Sequence, residues 1–292
     1  MQPVLETKPA PAVTPPTLTI LTAADEAYWR CLWQFLRSAR RMGIEGQARV
    51  VAYDLGLEAQ TLARLKESFA WVEFRTFNFA QYPPHVALAS RTYAWKPMLI
   101  AQGAREYGGE ILWLDCAALF QTRSLGDLRS SLARDGTYVL KGASALELRC
   151  NAFTLDALGV PDEDRKRVER PATIIGFDTR RAAVRELIAE WQAHSLVPER
   201  IAPRTAGHNP EQALLSILLF KYERAGGIGL TEGEIDISSA SPVGWITTRN
   251  KVPNWVPVWA DWAPRLYYFL YKRLDQAWLG FQQRRRMGHK AG

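Results

Sequence analysis

Three ionisable residues have positions from which chemistry is expected: Lys96, Asp115 and Glu211. Asp115 directly follows the apolar run Ile111-Leu-Trp-Leu114, which is typical of a strand buried on both faces of a sheet. Open α/β sheets bind their ligands at the carboxyl ends of central parallel strands. Asp115 is therefore a candidate ligand-binding or catalytic carboxylate, although a carboxylate in this place also serves to cap a turn.

Strands and helices must alternate along the chain to position these residues. Residues 18–22, 49–53 and 71–77 predict strands with helices between them, which gives β-α-β-α-β and a parallel sheet with right-handed crossovers. After the proline-containing loop at 81–85, the pattern continues with further helices and strands. The expected helices run from about Lys96 to Tyr107 and over residues 125–134, 155–159, 180–194 and 213–222. The expected strands cover residues 111–115, 137–141, 169–177 and 235–237.

The composition is that of an ordinary globular protein, with 292 residues, 47% of them hydrophobic and 23% charged. Residues 1–16 contain five prolines and predict a disordered leader. The sequence has neither a bilayer-spanning apolar run nor the order of a secretory signal. Its three cysteines fit neither a disulfide framework nor a zinc site, so a reducing cytoplasm is expected. The charge run at 162–167 predicts a solvated face.

The C-terminal segment differs from the body of the chain in charge and aromatic content. The formal net charge is +7, and residues 263–292 carry seven Lys or Arg against one Asp, so the body is nearly neutral and no nucleic-acid partner is expected. Residues 266–282 predict an amphipathic helix, which either binds an anionic membrane surface or packs its aromatic face on the protein's own core. The expected membrane contacts are Trp262, Tyr267, Tyr271, Lys272, Arg273, Trp278, Arg284, Arg285 and Arg286.

Four segments, in order, resemble those of the GT-A glycosyltransferases: Tyr93-Ala-Trp-Lys96-Pro97, Ile111-Leu-Trp-Leu-Asp115, Ile174-Ile-Gly-Phe177 and His208-Asn-Pro-Glu211-Gln212. The chain looks most like poorly characterised bacterial GT-A-like families that are distantly akin to the glycogenin-like enzymes. The resemblance implies a single Rossmann-like α/β domain with a mostly parallel sheet over residues 17–240. A helical, aromatic and basic extension would follow over residues 241–292. The implied activity is sugar transfer from a nucleotide diphosphate to a hydroxyl group.

The resemblance also implies donor-binding residues, with a UDP-sugar as the expected donor. The ends of the first two strands would bind the base and ribose, Arg91 and Lys96 would pair with the diphosphate, and Trp113 would lie beside them. Asp25 can equally be the N-cap of the helix that follows it. The residues at the two strand ends are Thr22, Asp25, Tyr53 and Asp54.

A divalent cation is the usual partner of the diphosphate in such enzymes, and Mn²⁺ or Mg²⁺ is typically held by an Asp-x-Asp motif. Here the matching segment is Asp115-Cys116-Ala117, which lacks the second carboxylate and therefore argues against metal dependence. Asp115 would hold a metal or would instead hydrogen-bond the ribose or sugar. His208 would be the second metal ligand, or it is a cap or surface residue.

On the acceptor side, the resemblance implies Glu211 as a catalytic residue together with Asp115. In inverting members Glu211 would deprotonate the acceptor hydroxyl, whereas in retaining members it would position the acceptor or face the sugar. A glutamate in the first turn of a helix is also favoured by the helix dipole alone. The expected acceptor-lining residues are Gly176, Phe177 and Gln212.

The expected acceptor is a saccharide or a lipid-linked sugar at the cytoplasmic membrane face, where the basic tail would attach the protein peripherally. The alternative is a GT-A-like binding or scaffold protein that has lost catalysis. The missing second aspartate at Ala117 supports that alternative, whereas Asp115, Lys96 and Glu211 argue against it.

Overall fold

The structure is a computed structural model and describes residues 18–201, 210–234 and 245–247. It confirms the predicted α/β fold. The strands in this part of the chain are β1 (Leu18–Ala24), β2 (Arg49–Asp54), β3 (Glu73–Thr76), β4 (Glu110–Leu114), β5 (Leu119–Phe120), β6 (Thr137–Val139), β7 (Ile174–Asp178) and β8 (Ile246–Thr247). The α-helices are α1 (Trp29–Arg41), α2 (Ala59–Ser68), α3 (Trp95–Tyr107), α4 (Gly126–Asp135), α5 (Ala152–Ala157), α6 (Asp162–Arg165), α7 (Ala182–Ser195) and α8 (Pro210–Arg224).

A six-stranded sheet in the order β3-β2-β1-β4-β7-β6 forms the centre of the molecule. Strands β1 to β4 are parallel, and β7 runs antiparallel to both of its neighbours. The chain moves outward from β1 to β2 and β3, and then returns to β4 on the opposite side of β1. This reversal creates a topological switch point between β1 and β4, and ligands of open α/β sheets bind at the carboxyl ends of the strands there.

The two faces of the sheet bury separate apolar clusters, because alternate side chains of each strand point in opposite directions. Ile111 and Trp113 of β4 pack in the cluster that includes α3, α7 and α8. Leu112 and Leu114 pack in the other cluster, which includes α1, α2 and α4. The apolar run before Asp115 is therefore buried on both faces, as the sequence predicts.

Strand β7 begins later than the sequence predicts, at Ile174 instead of residue 169. Residues 169–172 leave the sheet because their backbone groups are bound by α8. The Arg170 amide donates to Ser216 Oγ at 2.9 Å, and the Ala172 amide donates to the Gln212 side-chain oxygen at 3.3 Å. This segment brings backbone atoms into the candidate site described below.

The expectation that residues 162–167 form only a solvated face is wrong for Asp164. Its side chain is buried and forms ion pairs with Arg167, at 3.3 Å, and with Arg224 of α8. The sequence did not reveal this role because Arg224 lies 60 residues further along the chain. The charge run thus ties α6 to α8.

Residues 245–247, which belong to the expected C-terminal extension, pack into the domain. Strand β8 pairs antiparallel with β5, and Trp245 is buried between the rings of Phe120 and Tyr138. Its indole nitrogen donates a 3.0 Å hydrogen bond to the Tyr138 hydroxyl. The region of the domain next to β5 and β6 is therefore completed by residues 245–247, more than 100 positions after β6 in the sequence.

Several expectations concern residues outside the described ranges: the leader at 1–16, the strand at 235–237, the helix at 266–282 and the nine expected membrane contacts. Within the ranges that are described, no helix is both long enough and apolar enough to cross a bilayer.

Candidate active site

Lys96 is the centre of a cluster at the carboxyl end of β4. It lies in the first turn of α3, and its Nζ is 3.2 Å from Asp115 Oδ1 and 3.8 Å from Glu211 Oε1. The same nitrogen donates a 2.9 Å hydrogen bond to the carbonyl of Ala172. The structure thus brings together the three ionisable residues that the sequence singles out, from α3, the end of β4 and the start of α8.

The environment of Lys96 favours its charged form. Burial by itself lowers the pKa of this ammonium, but the nearby Asp115 and Glu211 carboxylates outweigh burial, and the pKa is raised above its usual value. The rings of Trp113 and Tyr93 have their centroids 5.5 Å and 6.0 Å from Nζ, within the range of cation–π attraction. Lys96 is therefore a fixed positive charge at neutral pH.

Asp115 is the most exposed member of this cluster. Its side chain is 38% exposed, whereas those of Lys96 and Glu211 are almost fully buried. The Trp113 indole donates a 2.9 Å hydrogen bond to Oδ1, the same oxygen that lies near Lys96. Trp113 is itself buried, so in this arrangement it orients Asp115. Two donors on one oxygen leave the other oxygen, Oδ2, available to a ligand.

Glu211 is a buried carboxylate in the first turn of α8. Its carbonyl accepts a 3.0 Å hydrogen bond from the Trp191 indole of α7, which fixes the start of the helix. Among the described residues, its Oε2 has no hydrogen-bond partner. Burial raises the pKa of Glu211 above its usual value, against the opposing effect of Lys96. A raised pKa makes the deprotonated carboxylate a stronger base.

A strained loop precedes Lys96. Arg91 and Tyr93 both have φ of 56°, a left-handed conformation that residues other than glycine rarely adopt. Thr92, between them, is buried, and its hydroxyl donates to the His85 carbonyl at 2.6 Å. Backbone strain of this kind persists where the surrounding structure holds it and is concentrated at functional sites. Here it determines the direction in which the chain enters α3.

Gln212 lies beside the site and fixes the segment that contacts Lys96. Its side-chain oxygen accepts from the Ala172 amide, and its nitrogen donates to Glu169. Ala172 and Trp191 are not among the site residues that the sequence predicts. No sequence signal marks them, because a backbone carbonyl and an indole become part of a site only through packing with residues 20 to 76 positions away.

The two carboxylates expected at the donor side have structural roles in this arrangement. Asp25 caps a short 3₁₀ helix and accepts from the Tyr28 amide at 3.1 Å, which confirms the capping alternative. Asp54 accepts from the amides of Gly56 and Leu57 at 2.8 and 2.6 Å, which stabilises the turn after β2. Asp25 remains partly exposed at the switch point, whereas Asp54 is buried.

The remaining expected donor-side residues have different environments. Thr22 is fully buried in β1, and its hydroxyl has no hydrogen-bond partner among the residues described. Tyr53 is buried in the core, where burial raises the pKa of its phenol. Arg91 is exposed, in the strained loop close to Lys96 in sequence. Asp25 and Arg91 are therefore accessible, whereas Thr22, Tyr53 and Asp54 are buried.

Gly176 and Phe177 are not brought to the site. Because β7 is antiparallel to β4, the start of β7 lies beside Leu114, while Phe177 pairs with Ile111 at the opposite end of β4. Phe177 is fully buried in the core. A Cβ on Gly176 would lie 2.9 Å from Tyr138 Cβ, so the glycine allows close packing within the sheet layer.

The described residues do not fit a metal held by protein side chains alone. Among them, no group of three His, Cys, Asp or Glu residues lies close enough together to ligate an ion. Oδ1 of Asp115 already receives the Trp113 indole and faces the Lys96 ammonium. His208, the expected second ligand, lies outside the described ranges. The positive charge that the described residues supply at this position is Lys96.

A family model described as a protein of unknown function (DUF1647) matches residues 13–101, a range that includes β1 to β3, the strained loop and Lys96. No curated protein sequence matches the chain.

Solved structures similar to this chain include three glycosyltransferases. The galactosyltransferase LgtC, in complex with donor and acceptor sugar analogues, is 18% identical over 73% of each chain, with a TM-score of 0.47. GlyE of Streptococcus pneumoniae TIGR4 is 11% identical over 73% of this chain and 45% of its own, with a TM-score of 0.43. The bifunctional WbbM is 13% identical over 69% of this chain and 39% of its own, with a TM-score of 0.42.

Proposed function

We propose that this protein transfers a sugar from a nucleotide-diphosphate donor to a hydroxyl acceptor. The observation that carries the proposal is the Lys96–Asp115–Glu211 cluster at the β1/β4 switch point. Nucleotides bind at this place in open α/β sheets. A cation, an accessible carboxylate and a buried carboxylate with raised pKa are the groups that such a transfer needs.

Each group has a role in the proposed reaction. Asp115 contacts the sugar or ribose hydroxyls of the donor through its free oxygen. The acceptor oxygen bonds to the anomeric carbon as the bond from that carbon to the diphosphate breaks, and the electron pair leaves with the diphosphate. Lys96 stabilises the negative charge on the leaving group. In inverting transfer Glu211 takes the acceptor proton, and in retaining transfer it positions the acceptor.

The first experiment is a thermal-shift screen of nucleoside diphosphates and nucleotide sugars, each with manganese and with a chelator. A ligand that binds only the native state raises the melting temperature, by an amount that grows with its concentration relative to Kd. We expect a shift with uridine diphosphate that persists in the chelator. No shift with any nucleotide would contradict the proposal and favour the scaffold alternative. A shift that requires manganese would contradict the role of Lys96 as the sole cation.

We further propose that the acceptor is a saccharide or lipid-linked sugar at the cytoplasmic face of a membrane. The support is the excess of Lys and Arg together with four tryptophans between residue 248 and the end of the chain. Each basic residue near anionic lipid contributes about 1 kcal/mol. The protein should therefore sediment with anionic vesicles at low salt and remain soluble with neutral ones. Replacing Arg284, Arg285 and Arg286 with Gln should weaken sedimentation, and equal binding to neutral vesicles would contradict the proposal.

A further inference from the structure

A second group of cations lines a cavity close to the Lys96 cluster. The cavity has a volume of about 220 Å³. This is smaller than the roughly 300–1,000 Å³ typical of drug-sized ligand sites, so it suits one small group. Three of its lining residues are cations and one is an acid. The lining residues are Lys141, Arg167, Val168, Arg170 and Glu232.

Arg170 is a buried cation whose guanidinium forms no direct ion pair within the described part of the chain. It is 2% exposed, and its Nη1 donates to the carbonyls of Val139 at 2.9 Å and Thr231 at 2.5 Å. Among the described residues, no carboxylate forms an ion pair with its guanidinium, and its Nε has no hydrogen-bond partner. Burial lowers the pKa of Arg170, against the opposing effect of the more distant Glu232 and Glu223 carboxylates. An anion in the cavity that Arg170 lines would supply a direct counter-charge.

The other two cations are paired with carboxylates, of which Glu232 alone lines the cavity. Arg167 pairs with Asp164 and Glu223, and its guanidinium carbon lies 3.9 Å from the centre of the Phe220 ring, which fixes its position. Lys141 pairs with Glu232. The Glu232 side chain is 78% exposed, so it can move into solvent when a ligand anion takes its place beside Lys141.

We propose that Lys141, Arg167 and Arg170 form an anion-binding subsite for a phosphate-type group. The planar guanidinium matches phosphate oxygens, and the lysine adds a point charge. The subsite lies at the same edge of the sheet as Asp115, because β6 and β4 are both antiparallel to β7. Arg170 is also two residues before Ala172, the carbonyl partner of Lys96. We assign the bound anion to an acceptor that carries a phosphate group, and this assignment rests on the proposed function.

Two substitutions that break the same ion pair test this subsite. Lys141→Gln and Glu232→Gln both remove the Lys141–Glu232 contact, so a purely structural effect would change both variants in the same direction. We expect Lys141→Gln to weaken the binding of inorganic phosphate about tenfold and Glu232→Gln to strengthen it several-fold, as measured by isothermal titration calorimetry at low salt. Phosphate bound beside Lys96 instead would be indifferent to both substitutions. Equal affinities in all three proteins, or shifts in the same direction, would overturn the proposal.

The source of the phosphate is distinguished by the probe. Glucose 1-phosphate represents a phosphorylated saccharide, and phosphatidic acid vesicles, compared with phosphatidylcholine vesicles, represent a lipid headgroup. Binding of either probe supports the subsite if Lys141→Gln weakens that binding and Glu232→Gln strengthens it. The calorimetric test does not need glycosyl transfer. If nucleotides fail to bind while phosphate binding responds to the two variants, the proposed function fails and the subsite stands.

Discussion

At the scale of single residues, the division of exposure within the Lys96 cluster assigns different tasks to its two carboxylates. Asp115 is accessible and is oriented by the Trp113 indole, whereas Glu211 is buried and its Oε2 has no hydrogen-bond partner among the described residues. Lys96 lies between them and stays charged because both carboxylates raise its pKa. A cation shared by two carboxylates can shift toward an incoming diphosphate without leaving its position in α3.

Removing the charge of Asp115 should impair transfer and spare the fold. Asp115→Asn keeps an oxygen that can accept from the Trp113 indole, and its partly exposed position limits the loss of stability to about 1 kcal/mol. We expect kcat/KM to fall about 10²- to 10³-fold, as for other electrostatic contacts to a reacting group. Asp127→Asn, at an exposed position of α4, is the matched control and should leave kcat/KM unchanged. Full activity in Asp115→Asn would remove this residue from the proposed mechanism.

The raised pKa of Glu211 predicts a specific dependence of stability on pH. Glu211 keeps its proton to higher pH in the native state than in the unfolded state, where its pKa is 4.5. Above pH 4.5 the native state therefore binds more protons than the unfolded state. The contribution of Glu211 to the free energy of unfolding is therefore present below 4.5 and is lost as the pH rises through the native pKa.

Glu211→Gln cannot titrate and should not show this loss. The free energy of unfolding of the variant, minus that of the wild type, should increase between about pH 4 and pH 7. Urea unfolding at a series of pH values measures this difference directly. Lys96 remains charged throughout the range and does not contribute to the slope. A difference that is independent of pH would mean that the pKa of Glu211 is not raised.

At the scale of secondary-structure elements, two short segments connect the site to its scaffold. Residues 169–172 leave the sheet to bind α8, which places the Ala172 carbonyl on Lys96 and the Arg170 side chain in the basic cavity. Helix α6 is joined to α8 through the buried carboxylate of Asp164, which pairs with Arg167 and Arg224. The position of Arg167 in the cavity therefore depends on α6.

Two aspartates of α6 differ in burial, so their substitutions distinguish the effect of a buried ion pair from that of a surface charge. The Asp164 side chain is 3% exposed and that of Asp162 is 91% exposed. Asp164→Asn leaves two arginines without a buried partner, so it should lower the free energy of unfolding by about 3–5 kcal/mol. Asp162→Asn carries the same chemical change and should alter it by less than about 0.5 kcal/mol. Chemical unfolding of the two variants measures both values, and equal effects would contradict the structural role of Asp164.

At the scale of the whole molecule, residues 245–247 complete the core of the domain from a distant part of the sequence. Trp245 fills the space between Phe120 and Tyr138, and β8 covers β5. The switch point lies between β1 and β4, and the cavity lined by Lys141, Arg167 and Arg170 lies beyond β7. Both are at the end of the sheet where β4 and β6 have their carboxyl ends. Donor and acceptor groups could thus approach one edge of a rigid sheet from neighbouring positions.

Truncating Trp245 tests whether this late segment stabilises the domain. Trp245→Ala removes a buried ring and should lower the free energy of unfolding by about 3–5 kcal/mol. Trp245→Phe keeps most of the ring and loses the hydrogen bond to Tyr138, for a smaller cost of about 1–2 kcal/mol. Thermal and urea unfolding should rank the proteins as wild type, then Trp245→Phe, then Trp245→Ala. An unchanged stability in Trp245→Ala would show that residues 245–247 are not part of the folded core.

The sequence by itself determined the alternating strands and helices and the carboxylate at the end of β4. Both follow from local patterns, because apolar runs and cap residues report on burial and chain direction within about ten positions. It also singled out Lys96 and Glu211 as residues of chemical interest, although not their contact. The expectation that Gly176 and Phe177 lie at the site was wrong. The sequence did not determine the direction of β7, which depends on the strands with which it pairs.

Only the tertiary structure decided which groups meet. The Ala172 carbonyl, the Trp191 indole and the buried guanidinium of Arg170 carry no local signal, because each acquires its role from partners far away in the sequence. Burial decided the rest: it separated accessible Asp115 from enclosed Glu211 and raised the pKa of the latter. Contacts between distant segments and exclusion of water are properties of the packed chain, and these properties, rather than residue type alone, define the site.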